Sequence, residues 1–136
     1  MRPLHVLVPL DTTDLSLQVL PTVHELAAAR GEHAEVVLCH VVAPGGDAAG
    51  PLQYLQRQAT KLASKTLTVS CMVAEGSPAD VILQQIRSGH FDFVCLTTRA
   101  KPGRARRPGS VAQRLIRESP TPVVVLAPEQ AHPAAA

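Results

Sequence analysis

Residues 67–97 read LTVSCMVAEGSPADVILQQIRSGHFDFVCLT. Two short apolar runs, 67–74 and 91–97, flank a segment with helical periodicity, so the stretch reads as strand, helix, strand. Ser77-Pro78-Ala79-Asp80 is a helix start: a serine can cap the orphan amides, a proline is pre-set for the first turn, and an early aspartate suits the positive end of the helix dipole. Gly89 supplies the stop. Parallel sheets with right-handed crossovers are built from this unit.

The same alternation extends in both directions. Upstream, Leu4 to Leu10 (LHVLVPL) reads as a first strand, closed by Pro9 and by polar Asp11, Thr12 and Thr13. A helix is expected from Asp14, with Leu17, Leu20, Val23 and Ala27 at helical spacing, Thr13 or Asp14 as cap and Gly31 as stop. Pro21 inside it is expected to kink it. Ala34 to Val42 is a Val-rich second strand, residues 44–50 a Pro/Gly connection, and Pro51 to Lys65 a second helix carrying Leu52, Leu55, Ala59, Leu62 and Ala63. Downstream lies an Arg/Pro/Gly loop at 98–108. A helix over Ser110 to Glu118 follows, with Val111, Leu115 and Ile116 turned inward, and then a fifth strand, Val123 to Leu126, after Pro120 and Pro122. The fold class is therefore α/β: a doubly wound, Rossmann-like parallel sheet of five strands with four helices. Residues 1–128 are expected to form one domain, and 129–136, an Ala/Pro/His tail, to be disordered. Ligands of such sheets bind beyond the carboxyl ends of the strands where strand order reverses, which selects Leu10 to Thr13 and Thr97 to Ser110.

Composition narrows the function. The 136 residues hold 13 Lys+Arg against 11 Asp+Glu, and no apolar run approaches the ~18 residues a membrane helix needs. Apolar residues make up 46% of the chain, but only Tyr54, Phe91 and Phe93 are aromatic, so the core is aliphatic and no platform for stacking bases exists. Cys39, Cys71 and Cys95 lack any C-x-x-C spacing and read as buried thiols in a reducing compartment. The N-terminus is too short and proline-interrupted for a signal peptide, which points to the cytoplasm. His5, His24, His33, His40, His90 and His132 show no metal spacing, and no nucleophile–base arrangement is discernible.

Taken in order, VLVPLD (6–11), LPTVHELA (20–27), LCHVV (38–42), EGSPADVIL (75–83), DFVCLTT (92–98), GSVAQRLI (109–116) and TPVVVLAP (121–128) resemble the universal stress protein family over residues 4–128. The resemblance implies a cytoplasmic homodimer joined in part through the last strand, here Val123, Val124, Val125 and Leu126. It also implies a division between members that bind ATP, through Gly, two residues, Gly, nine residues, Gly-Ser/Thr, and members that lack this pattern. In this chain Thr97 and Ala100 stand where the first two glycines are expected, eight residues follow Ala100, and only Gly109-Ser110 matches. Glycines in a phosphate loop allow positive φ and close backbone approach to the anion, so Thr97 and Ala100 are expected to crowd that space.

By the resemblance, Asp11 and the backbone at Val41 would meet the adenosine end, and Gly109 and Ser110 the phosphates. Each has a plainer reading: Asp11 as a turn residue, Val41 as any apolar strand residue, Ser110 as a helix cap. The sequence thus points first to a stress-response regulatory binding protein with weak or absent ATP binding, and no obligatory cofactor. The rival is an ATP switch, with Mg, in which Arg106 and its basic neighbours replace the missing amides and hydrolysis is slow at most. A third reading takes Arg99 to Arg107 as a surface for nucleic acid or an acidic protein partner; the missing aromatics argue against nucleic acid.

Overall fold

A computed structural model describes residues 3–14, 16–30, 33–98 and 109–127. Strands β1 (Leu4–Pro9), β2 (Ala34–Val42), β3 (Leu67–Glu75), β4 (Phe93–Thr97) and β5 (Val123–Leu126) alternate with helices α1 (Val19–Arg30), α2 (Ala49–Leu62), α3 (Pro78–Gly89) and α4 (Ser110–Glu118). All strand pairs are parallel, in the order β3-β2-β1-β4-β5. The order reverses between β1 and β4, and the carboxyl ends of these two strands open a crevice there.

Alternation along β1 divides the core. Val6 and Val8 pack on one face with Val36, Leu38, Val19 and Val23 of α1, and Leu55 of α2. Leu7 faces the other way, with Cys39, Leu96, Ile82, Leu83 and Ile86 of α3, and Leu115 of α4. Each such side chain contributes about 1.5–3 kcal/mol by leaving water, so helices on both faces are what this sequence stabilises. The doubly wound sheet expected from the alternation is the one observed.

Several local expectations change. A 3-10 turn at Ser16–Gln18 precedes α1, which starts at Val19. Pro21 therefore lies in the first turn, where a helix has no use for its missing N–H, and not in the interior. Helix α2 begins at Ala49, whose amide donates to Asp47 Oδ1 at 3.0 Å, and ends at Leu62, short of Lys65. Ser77 occupies the cap position of α3 without a side-chain bond to its amides. The left-handed residue closing α3 is His90 (φ 52°), while Gly89 is the last helical residue. Its missing side chain serves Phe91: a Cβ at 89 would stand 2.5 Å from that ring. β4 starts at Phe93, not Phe91, because the Asp92 amide and carboxylate bond the backbone of His5 at 2.7 and 2.8 Å. On α4 Leu115 and half-buried Val111 face the core as expected, Ala112 joins them, and Ile116 is 53% exposed. Cys39 and Cys95 are buried and Cys71 only half so; all three are free. The tail 129–136 lies outside the described residues.

Candidate functional site

The site grows from the turn that follows β1. Leu10 extends the sheet by donating its amide to Cys39 O at 2.7 Å. Asp11 then closes an Asx turn: its Oδ1 accepts the Thr13 amide at 2.9 Å and the Thr13 hydroxyl as well. Between them Thr12 takes a left-handed φ of 66°. Ser16, 6% exposed, ties the turn to α1, its hydroxyl accepting from the Asp11 amide at 3.3 Å and donating to Thr13 O at 2.9 Å. The Tyr54 hydroxyl reaches the same Thr13 carbonyl from α2, at 3.4 Å. Partial burial, then the carboxylates of Asp14 and Asp11, push the Tyr54 pKa up.

Across the crevice, β4 ends at Thr97, whose hydroxyl donates to Ser16 O at 3.4 Å, and Thr98 passes its amide to Leu126 O at 2.9 Å. The Thr97 hydroxyl is thus engaged with the turn leading into α1, and Thr97 is not among the residues with positive φ. Gly109 is the cap residue of α4 and Ser110 its first helical residue. Ser110 is therefore not the cap.

These elements enclose a cavity of about 350 Å³, at the lower end of the roughly 300–1,000 Å³ typical of small-molecule sites. Its floor is apolar, from Cys39, Val41, Ile82, Leu96, Val111 and Ala112. Its polar lining comes from Asp11, Ser16, His40, Thr97, Thr98 and Ser110. Of the residues selected from sequence, Asp11, Val41, Thr97, Gly109 and Ser110 all line this one cavity. Ala100 and Arg106, with the rest of the basic stretch Arg99 to Arg107, lie outside the described residues.

Ser16, His40, Pro78 and Ile82 also line it and were not singled out from sequence. Ser16 and His40 carried a faint signal, the first as the small polar residue closing the turn after Asp11, the second as the ring preceding Val41. The chemistry offered is recognition: a largely apolar cavity flanked by a carboxylate and by a helix N-terminus that favours an anion. Burial pushes the Cys39 thiol up to about 11 and Cys95 to about 12, so neither is a thiolate at neutral pH. Among the described residues no group of three or more His, Cys, Asp or Glu is placed to hold a metal ion, and no helix is long and apolar enough to cross a membrane.

The profile of the Universal stress protein family matches residues 4–127. No curated protein matches the sequence. Among solved structures, the chain is similar to the universal stress protein UspA from Lactobacillus plantarum, with a TM-score of 0.72 and 18% identity over 93% of this chain and 99% of that one. It is also similar to a universal stress protein in complex with cAMP, with a TM-score of 0.71 and 20% identity over 95% and 100% of the two chains. A third, the universal stress protein from Archaeoglobus fulgidus in complex with dAMP, gives a TM-score of 0.68 and 19% identity over 92% and 97%. At these identities the likeness is one of fold.

Proposed function

Since the chain belongs to the universal stress protein family, we propose that it is a regulatory binding protein of the stress response that takes the adenosine end of an adenine nucleotide into its cavity and holds it weakly, without turnover. The observation that carries this reading is the convergence of Asp11, Val41, Thr97, Gly109 and Ser110 on one cavity at the point where strand order reverses. Two solved proteins of the same fold, described above, hold cAMP and dAMP.

In this reading the base lies on the apolar floor against Val41, the Asp11 carboxylate accepts from the ribose, and the amides at the start of α4 with the Ser110 hydroxyl meet the first phosphate. With Thr97 and Ala100 in place of glycines, the β- and γ-phosphates gain little. The protein acts as a cytoplasmic homodimer paired through β5.

The test is calorimetric titration with AMP, and with ATP in the presence and absence of Mg²⁺, after chromatography of any nucleotide released on denaturation. Comparable affinities for AMP and ATP are expected. ATP binding much tighter than AMP binding, and dependent on Mg²⁺, would favour the switch reading, in which the basic loop around Arg106 grips the distal phosphates. Failure of every adenine nucleotide to bind would overturn both.

A further inference from the structure

Both backbone polar groups of Leu10 are held by consecutive residues of β2. Its amide donates to Cys39 O, and its carbonyl lies 2.7 Å from Nδ1 of His40. A carbonyl can only accept, so Nδ1 carries the proton. Leu10 is 3% exposed, and a buried carbonyl left without a donor is costly. β1 ends at Pro9, the residue before, so the imidazole takes over where the sheet ladder stops. One residue later comes the Asx turn, with its left-handed threonine, a backbone that persists only where neighbours over-determine it. Ser16 fixes the far side of that turn through the Asp11 amide. His40 fixes the near side.

We propose that His40 is a positioning residue: by holding the Leu10 carbonyl it sets the direction in which the chain leaves β1, and with it the place of the Asp11 carboxylate in the cavity lining. Its consequence for ligand affinity rests on the reading of the cavity as a nucleotide site; its consequence for the turn does not. A donor at the position of Nδ1 is what the role requires. Asparagine, whose Nδ2 lies close to the place of the imidazole Nδ1, can fill it, and leucine, of similar bulk but with no donor, cannot.

The experiment compares the full chain with His40→Asn and His40→Leu. In the ligand-free proteins, amide resonances and hydrogen exchange of Asp11 and Thr13 are followed, with Leu83 and Ile86 of α3 as an internal control. His40→Leu is expected to shift and deprotect Asp11 and Thr13 while leaving α3 unchanged, and to weaken AMP binding by about tenfold, the equivalent of about 1.4 kcal/mol. His40→Asn is expected to keep both properties near wild type. Equal behaviour of the two variants, or an unperturbed turn in His40→Leu, would overturn the assignment. So would an Nε2–H tautomer of His40 in the wild-type nitrogen spectrum, which needs no variant. If the wild type binds no AMP, the function proposed above falls, and the Asp11 and Thr13 amides alone decide the role of His40.

Discussion

Thr97 and Ser16, 81 residues apart, are joined by a hydrogen bond in which the Thr97 hydroxyl donates to the Ser16 carbonyl at 3.4 Å. The residue standing where the family's first phosphate-loop glycine is expected thus braces the turn carrying Asp11. Replacing it with glycine removes this brace and loosens a strand end. Thr97→Gly is expected to lower stability by about 0.5–1 kcal/mol and to leave AMP affinity unimproved, as measured by denaturant unfolding and calorimetry. A gain in affinity would show that the side chain obstructs the ligand after all.

Ser110 is the first helical residue of α4, with Gly109 in the cap position. If its hydroxyl capped the helix, Ser110→Ala would cost about 1 kcal/mol. The expected result is a stability within about 0.5 kcal/mol of wild type, as for surface substitutions, together with a several-fold loss of AMP affinity. Lost stability with unchanged affinity would return Ser110 to a purely structural role.

The inward face of α4 can be tested with two neighbouring residues. Leu115 is fully buried against α3 and the sheet, and Leu115→Ala is expected to cost about 2–5 kcal/mol. Ile116, 53% exposed, is expected to cost less than about 0.5 kcal/mol on the same truncation. Parallel urea titrations compare them directly.

The thiols predict a pH dependence. Burial lifts Cys39 to about 11 and Cys95 to about 12, from 9.0 for an unperturbed thiol. Once the pH passes about 9 the unfolded chain loses these protons first, so it binds fewer protons than the folded chain and stability falls as pH rises toward 11–12. Below pH 9 this contribution is level. Unfolding free energies that stay flat from pH 9 to 11 would contradict it, and iodoacetamide at pH 8 should reach half-buried Cys71 before the other two.

β5 pairs with β4 on one side and ends the sheet order, leaving a four-residue apolar edge. Such an edge needs cover, and a second copy is the proposed one. Light scattering at micromolar concentration should give twice the 14.4 kDa chain mass. Pro122 O and Leu126 O accept from Val94 and Thr98, so by parallel-ladder alternation Val125 directs its amide away from β4. Val125→Pro is therefore expected to yield a folded monomer, and an unchanged dimer mass would place the interface elsewhere.

The strands and their order of appearance were legible because each is a Val/Leu-rich run bounded by turn residues, and the site region followed from where such a sheet reverses. That rule covers Asp11, Thr97, Gly109 and Ser110, whereas Val41 and the individual roles came only with the family resemblance. Ser16 and His40 came with neither. Their importance lies in bonds to Thr97 and Leu10, partners 81 and 30 residues away, which no local pattern encodes. Helix ends were the other blind spot: left-handed geometry fell on His90 because Gly89 was needed to clear the Phe91 ring, and Pro21 proved harmless because a 3-10 turn displaced the start of α1. The inward placement of Ile116 failed through helical phase, since Ala112 and Leu115 already fill the space that α4 offers the sheet.

Tyr54, which touches the Thr13 carbonyl beside Asp11, is the sole tyrosine of a chain with no tryptophan. Excited at wavelengths that Phe91 and Phe93 do not absorb, the protein's intrinsic emission is therefore that of one ring, poised at the rim of the turn that would meet a ligand. A change in occupancy or in the turn alters that single fluorophore's surroundings with no background from elsewhere in the chain. The molecule carries its own optical gauge of the crevice, and it can be read without a label.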